Sequence, residues 1–433
     1  VSGAREGRFA AADAQTRASL ERLCCRLAER TGTQAGDWFP VFKARQGMKV
    51  AFDVLAKRAC PAVGGTESGA VVGTSGSQAL RREVVTQLFT CCTAVDPIVA
   101  AGLAPVYGDI SARTLALDAS LLPVGERTAA VVLQHTFGIM DAEADARLRE
   151  VAHAAGAIVM EDCAHCAGRI SRDAQGAPVA DVSVHSFGVE KMLPTHFGGA
   201  VWVNPRMADA ALRDEMRARL ASLPLVAPAL ARAARHYLNQ VRVLNHLPHG
   251  LSHALRERLS AVGLFEPAIA SVELAGGLAS EPALPSRWVA DQAHCALAAA
   301  SADEDVRRAA VAAYGEALAD VPSSPREGGA WVCAGGLDPA LPLLRLGVFV
   351  PGEGKADEAL ARLRATGFYV VPWYRPLLFP GVSDEAAFGL PRGIDAVLAR
   401  LPVTRACSVG AVCLPCDLSP ERAREALAVA LSL

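Results

Sequence analysis

Thr128-Ala129-Ala130-Val131-Val132-Leu133-Gln134-His135 and, one helix further on, Ala157-Ile158-Val159-Met160-Glu161-Asp162 are the stretches that decide the fold. Each is a short apolar run rich in β-branched residues and without polar alternation, the pattern of a strand covered on both faces. Between them, 141–155 places Leu148, Val151, Ala152 and Ala155 on one helical face, with Asp141 as N-cap and Gly156 as the stop. Strand, helix and strand in so short a span predict a parallel sheet covered by helices. Two more runs, 182–187 and 200–203, extend the sheet. Ligands of open α/β sheets collect beyond the carboxyl ends of the strands, and Asp162, Ser186 and Lys191 fall at or just past such ends.

Outward from this centre, 206–258 is helical, rich in alanine and arginine, and broken at Pro224, Pro228 and Pro248. The low-charge stretch 268–285 reads as a connection, and 288–318 as one long helix. The end of the chain predicts a compact α+β unit, with strands at 343–350 and 369–373 and helices at 356–366, 393–401 and 420–431. The expected organisation is a helical segment over 1–35, a large α/β domain over 36–285 with a helical insertion near 206–285, and a connecting helix with a small α+β domain over 286–433. A chain of 433 residues exceeds the size at which one core stops growing, which agrees with this division.

A net charge of -2 offers no broad field for nucleic acid or an anionic membrane, so any anion is bound locally. The uncharged stretches 97–107 and 220–230 are too short and too proline-rich to span a bilayer. The first residues are polar, so no secretory signal is visible and a cytoplasmic location is expected. In that setting the twelve cysteines read as reduced thiols. The CxxC spacings at Cys163/Cys166 and Cys413/Cys416 read as coincidence, and no metal site is expected.

The chemistry gathers around Lys191. It follows a buried strand in Ser186-Phe187-Gly188-Val189-Glu190-Lys191, with Gly198-Gly199 ahead of it to allow close backbone approach. Alone it would be a solvated surface charge. Together with Asp162 on a neighbouring strand it matches the needs of pyridoxal phosphate (PLP), which are a lysine for the Schiff base, a carboxylate for the ring nitrogen and a phosphate cradle. Ser186 and the backbone at Arg45-Gln46, which opens an amphipathic helix, are the candidate cradle. His165, three residues past Asp162, either lies beside the cofactor ring or is a structural histidine.

These segments resemble, in order along the chain, the DegT/StrS-type aminotransferases, fold type I PLP enzymes known mostly for aminating nucleotide-linked keto sugars. Residues 44–55 resemble the family's phosphate-loop helix, and Phe89-Thr90-Cys91 with Ala101-Gly102 and Pro105 to Ile110 its cofactor-side loop and strand. Gln134 to Gly138 is similar to its H-x-x-G stretch, Glu161 to His165 to its ED-x-A-Q/H motif, and Ser186 to Lys191 to SF-x-x-x-K. Trp373-Tyr374-Arg375-Pro376 resembles the substrate-side segment, and 414–419 the LP…LS close.

The resemblance implies a large domain with a mostly parallel mixed sheet sandwiched by helices, and a smaller α+β domain. It implies Lys191 and Asp162 as catalytic residues. Arg45, Gln46, Phe89, Cys91, His135, Asp162, His165, Ser186 and Lys191 become cofactor-binding residues, and Tyr374 and Arg375 substrate-binding ones. It further implies an aminotransferase moving nitrogen from glutamate to a keto acceptor, most simply a nucleotide-linked keto sugar or a related natural-product intermediate, and a homodimer. The alternatives are another PLP reaction, elimination or condensation, and a non-catalytic regulator that binds a cofactor or nucleotide sugar. Three departures stand out. Cys91 replaces the usual stacking aromatic, Pro285 and Arg287 replace an asparagine-tyrosine-arginine segment, and the 206–285 region is long.

Overall fold

The computed structural model describes residues 8–59, 81–325 and 329–432. Its centre is a seven-stranded sheet of β1 (Trp38–Val41), β2 (Glu83–Thr86), β3 (Ala104–Tyr107), β4 (Thr128–Gln134), β5 (Ile158–Cys163), β6 (Val182–Ser186) and β7 (Gly199–Val203), ordered β1-β7-β6-β5-β4-β2-β3. The pairs from β3 to β6 are parallel, while β7 runs antiparallel to β6 and β1 antiparallel to β7. The fold class is therefore α/β, as expected. The apolar runs became strands because every residue of β4 is buried, and all but one of β5. Asp141 caps the intervening helix Ala142–Ala154 by accepting from Ala144 N, and Gly156 ends it at a φ of 72°.

Register fixes what the sheet presents. Gln134 stands beside Asp162, and Asp162 beside Val184, so the carboxyl ends of β4, β5 and β6 lie in one row. β5 runs through Glu161 and Asp162 and ends at Cys163, which carries both acids into the sheet. Gly199 lets β7 lie against the start of helix Ala44–Ala59, since a Cβ there would come within 2.9 Å of Ala44 Cα and 2.7 Å of His185 O. Gly198, at a φ of 105°, turns the chain into that strand.

Beyond the sheet, helices Ala210–Ala221, Pro228–Asn245 and His249–Ala261 occupy the region predicted to be helical, and their ends follow the prolines. Phe42, Phe197, Tyr237, Phe265 and Val289 form a separate apolar cluster that fastens this region to the sheet. Helix Arg287–Ala317, capped by Ser286, packs along helices Ala14–Thr31 and Pro420–Leu431. It thus ties the first helix to the last. A second, antiparallel sheet holds β8 (Trp331–Val332), β9 (Arg345–Phe349) and β10 (Ala411–Pro415), with β9 in the middle.

The 369–373 stretch is not a strand. Its carbonyls are taken by side chains instead of a ladder: Arg345 donates to Tyr369 O, Arg364 to Val370 O and the Cys413 thiol to Trp373 O. Pro372 removes a ladder donor as well. β10 went unread because its apolar residues follow directly on the helix Pro402–Gly410. Among the described residues no helix is long and apolar enough to cross a membrane.

Candidate active site

The carboxyl ends of β4, β5 and β6 open into a cavity of about 400 Å³, within the usual size for small-molecule sites. Arg45, Cys91, His135, Asp162, His165, Ser186, Lys191 and Tyr374 all line it. Eight of the expected site residues, drawn from segments far apart in sequence, thus meet in one place.

At its centre, Lys191 Nζ lies 3.1 Å from His165 Nε2 and 5.5 Å from the ring centre of Trp373. His165 Nδ1 accepts from Phe137 N–H at 3.0 Å, which assigns the ring proton to Nε2. Burial holds the His165 pKa well below the usual histidine value, so the ring is neutral. Its Nε2–H therefore has two acceptors in reach, the lysine nitrogen and Tyr374 Oη at 3.2 Å. The nitrogen accepts only as an uncharged amine. Desolvation lowers the Lys191 pKa and favours that same form, against the attraction of Cys91 and Asp162.

Asp162 is buried and faces the cavity from β5. Burial raises its pKa, opposed by the hydrogen bond its Oδ1 accepts from Ala164 N at 2.9 Å. A desolvated carboxylate of this kind gains most from a cationic N–H partner. Ser186 ends β6, and its Oγ accepts from Gly188 N–H at 3.3 Å while its own proton remains to be donated.

His135 also lines the cavity, but both of its nitrogens are already engaged. Nδ1 faces Ile139 O at 3.1 Å and Nε2 faces Glu161 Oε1 at 2.8 Å. Burial opposes its charge, but Asp145 and Glu161 overcome that and lift its pKa to about 10. Glu161 also accepts from Ser171 N and Ser183 Oγ. His135, Glu161 and Cys163 place three metal-ligand-type atoms within 4.8 Å of one another, but the Glu161 oxygens are filled by these donors. The group is a buried polar buttress under the floor.

Three expected residues do not line the cavity. The Gln46 amide binds Ser280 Oγ at 2.9 Å and Glu281 O at 3.1 Å and accepts from Ala283 N, clamping the 280–283 segment. Phe89 is fully buried with its ring edge-on to Tyr374, 5.2 Å between centroids, and so supports that residue from behind. Arg375 pairs with Asp357 at 2.8 Å and donates to Ala411 O, which makes it a packing residue of the C-terminal unit. Arg45 does reach the cavity, but its guanidinium pairs with Glu273 at 2.5 Å and donates to Ala268 O. Cys91 accepts from Thr93 Oγ1 at 3.1 Å, and a hydrogen bond from the Cys92 thiol brings its pKa down against burial.

Residues not anticipated complete the walls. Trp373 stacks on His165 at 5.3 Å and 8°, while Lys43, His196, Tyr237 and 267–269 form the rim. Only Trp373 had a sequence signal, as the neighbour of Tyr374; the others come from segments that no local pattern connects.

A mostly parallel sheet with this cavity at its strand ends is the architecture of fold type I aminotransferases. The crystal structure of the aminotransferase TlmJ from Streptoalloteichus hindustanus superposes with a TM-score of 0.61 over 96% of this chain and 91% of that one, at 20% identity, which establishes the shared fold. Residues 59–264 match the model of the DegT/DnrJ/EryC1/StrS aminotransferase family. It is similar to the L-glutamine:2-deoxy-scyllo-inosose aminotransferase of Streptoalloteichus tenebrarius, 34% identical over 40% of each chain. It is also similar to the UDP-2-acetamido-2-deoxy-3-oxo-D-glucuronate aminotransferase of Pseudomonas aeruginosa, 28% identical over 51% of this chain and 56% of that one. The matches thus span about two fifths to just over half of these relatives' lengths.

Proposed function

We propose that this protein is a PLP-dependent aminotransferase that moves nitrogen from glutamate to a ketone on a sugar-like ring. The observation that carries the reading is a pairing within one cavity. A desolvated lysine amine, held at 3.1 Å by a fixed-tautomer histidine, shares it with a buried carboxylate that has no cationic hydrogen-bond partner among the described residues. The residues fit the cofactor. Asp162 suits the protonated ring nitrogen, Lys191 the aldehyde, and Ser186 Oγ with the N–H groups opening helix Ala44–Ala59 the phosphate. Arg45, spent on Glu273, contributes position more than charge.

When bound, the cofactor supplies the aldehyde that exchanges amino groups and the ring that takes up the electron pair of a broken C–H bond. The chain supplies the rest. Lys191 Nζ would hold the cofactor and would be the group that moves a proton at the reacting carbons. His165 Nε2–H orients that amine, and Tyr374 shares the same proton. Asp162 keeps the ring nitrogen charged. Trp373, stacked on His165, covers one side of the reacting groups.

The two relatives' names, one a 2-deoxy-scyllo-inosose and the other a UDP-linked 3-oxo sugar acid, support a polyhydroxylated ring ketone as acceptor. We further infer a homodimer, as fold type I sites generally lie at a dimer interface, and a cytoplasmic location, in keeping with the free cysteines of the described residues. The proposed domains are 36–285, carrying the cofactor site and the 206–285 insertion, and 286–433, carrying the long helix and the β8–β10 sheet.

The test is spectroscopic. Protein incubated with PLP and desalted is expected to be yellow, and glutamate is expected to bleach that colour within turnover times. A protein that stays colourless, or a yellow one indifferent to every amino donor, contradicts the reading.

A further inference from the structure

The stretch 369–373 brings Trp373 over His165 and Lys191, yet it belongs to no strand and has no ladder of its own to fix it. Its place is set by side chains from the second sheet and from helix Glu353–Ala365. Arg364 binds one of its carbonyls, Val370 O, and the Cys413 thiol another, Trp373 O. Arg345 does more, because it meets both the first residue of the stretch and the last.

Arg345 stands on β9, the middle strand of that sheet, opposite Pro415 of β10, so its backbone is held in a ladder. Its side chain is nine-tenths buried. The guanidinium donates to Tyr369 O at 3.1 Å and lies 5.6 Å from the centre of the Tyr369 ring and 5.9 Å from that of Trp373. A cation over a ring face is attracted to it, and more strongly where water is excluded. A guanidinium can also stack while its in-plane N–H groups donate, which an ammonium cannot do.

Both rings lead to Lys191. The Tyr369 hydroxyl donates to the carboxylate of Glu190, the residue before the lysine, whose φ of 57° lies in the left-handed region. A non-glycine residue is uncommon in that region and is kept there by surrounding contacts. Trp373 stacks on His165 at 5.3 Å and 8°, and its ring centre is 5.5 Å from Lys191 Nζ. One guanidinium therefore reaches the lysine by two routes, through the loop that carries it and through the ring that covers its amine. Arg345 itself is not among the residues that line the cavity.

We propose that Arg345 is a positioning residue for Lys191: by holding Tyr369 and Trp373 together it aims the amine at the aldehyde of the incoming cofactor. The inference rests on the aminotransferase reading in taking Lys191 as the amine that captures PLP. In that capture Nζ adds to the aldehyde carbon and the carbonyl oxygen leaves as water, a step that depends on the direction of the amine.

The rate at which yellow colour appears when PLP is mixed with cofactor-free protein tests this without any turnover. Arg345→Met is expected to slow that rate about ten- to a hundredfold, the usual effect of a displacement of about 1 Å, and to bind the same amount of PLP at saturation. Bleaching by saturating glutamate should slow to a similar degree, with the half-saturating glutamate concentration little changed. Arg307→Met is the control, since Arg307 is equally buried and donates to Leu343 O and Leu344 O, just ahead of β9. It is expected to lower the melting temperature and leave the capture rate alone.

A folded Arg345→Met that captures PLP at the wild-type rate overturns the proposal, as does an equal slowing by Arg307→Met, which would assign the effect to general loosening. If Arg345→Met does not fold, Tyr369→Phe decides in its place. Tyr369 is 60% exposed, and the change removes only the hydroxyl on Glu190. It is expected to slow capture about fivefold, as for loss of one hydrogen bond, and a wild-type rate then overturns the proposal. Wild-type protein that turns yellow and is bleached by glutamate while Arg345→Met matches it overturns this inference alone. Wild-type protein that stays colourless or ignores every amino donor overturns the aminotransferase reading instead.

Discussion

The floor and the rim of the cavity are built in different ways. The floor comes from the carboxyl ends of neighbouring parallel strands, so Gln134, Asp162 and Ser186 are placed by backbone register and by strands buried on both sides. The rim comes from segments outside the sheet: Lys43, His196, Tyr237 on helix Pro228–Asn245, and 267–269. Its residues are placed by side-chain contacts such as the Lys43–Glu266 and Arg45–Glu273 pairs. A register cannot slip by one residue without turning every side chain to the other face, whereas side-chain contacts are exchanged one at a time. The floor is thus the part suited to constant chemistry, and the rim the part suited to variable acceptors.

Substitutions separate the two regions. The largest effect is expected at Lys191→Ala, which should abolish the yellow colour and lower turnover by at least about 10²–10⁴-fold, the usual worth of a positioned proton carrier, with the melting temperature little changed. Next, Glu161→Gln takes from the buried His135 imidazolium its nearer carboxylate, leaving Asp145 at 4.0 Å, and should cost about 1–3 kcal/mol of stability in denaturant titrations, although neither residue performs chemistry. The pH dependence of this term has a definite sign. His135 is raised in the folded protein to about 10, so its contribution is present in full below the ordinary histidine value and is lost as pH climbs through about 10. Stability of the wild type should fall over that window, and that of His135→Gln should fall less.

Asp162→Asn comes third, with turnover down about 10²–10³-fold, as for loss of one preorganised electrostatic partner, and the fold retained. At the rim the effects shrink. Glu190→Ala removes one charged hydrogen-bonding group and should lower kcat/KM for the acceptor by about ten- to a hundredfold, more than it lowers the donor half-reaction. If Glu190→Ala proved as damaging as Asp162→Asn in both half-reactions, the division between floor and rim would not stand.

The same division governs what was legible in the sequence. Much of the floor was, because β4 and β5 are written as apolar runs and Asp162, after Ile158–Met160, marks the site, while Ser186 closes the alternating Val182-Ser183-Val184-His185. Lys191 and His165 followed by short spacing. The rim was not legible, because Tyr237, Ile269 and Trp373 meet Lys191 only through contacts between segments distant in sequence. Similar reasons explain the three residues placed elsewhere. Gln46, Phe89 and Arg375 sit in segments of the right kind, but whether a side chain faces the cavity or the 280–283 segment, the core or Asp357 depends on packing that no local pattern encodes. The 369–373 stretch has the composition of a strand, yet Pro372 and the side chains that bind its carbonyls keep it out of any sheet.

Borohydride trapping of the PLP-loaded protein, followed by peptide mass analysis, tests the central claim most directly. Reduction makes the lysine–cofactor link permanent and therefore reports which amine holds the cofactor. The account predicts a single phosphopyridoxyl group on the peptide that contains Lys191. A label on Lys43 or Lys49 in its place, or no label on a yellow protein, would contradict it.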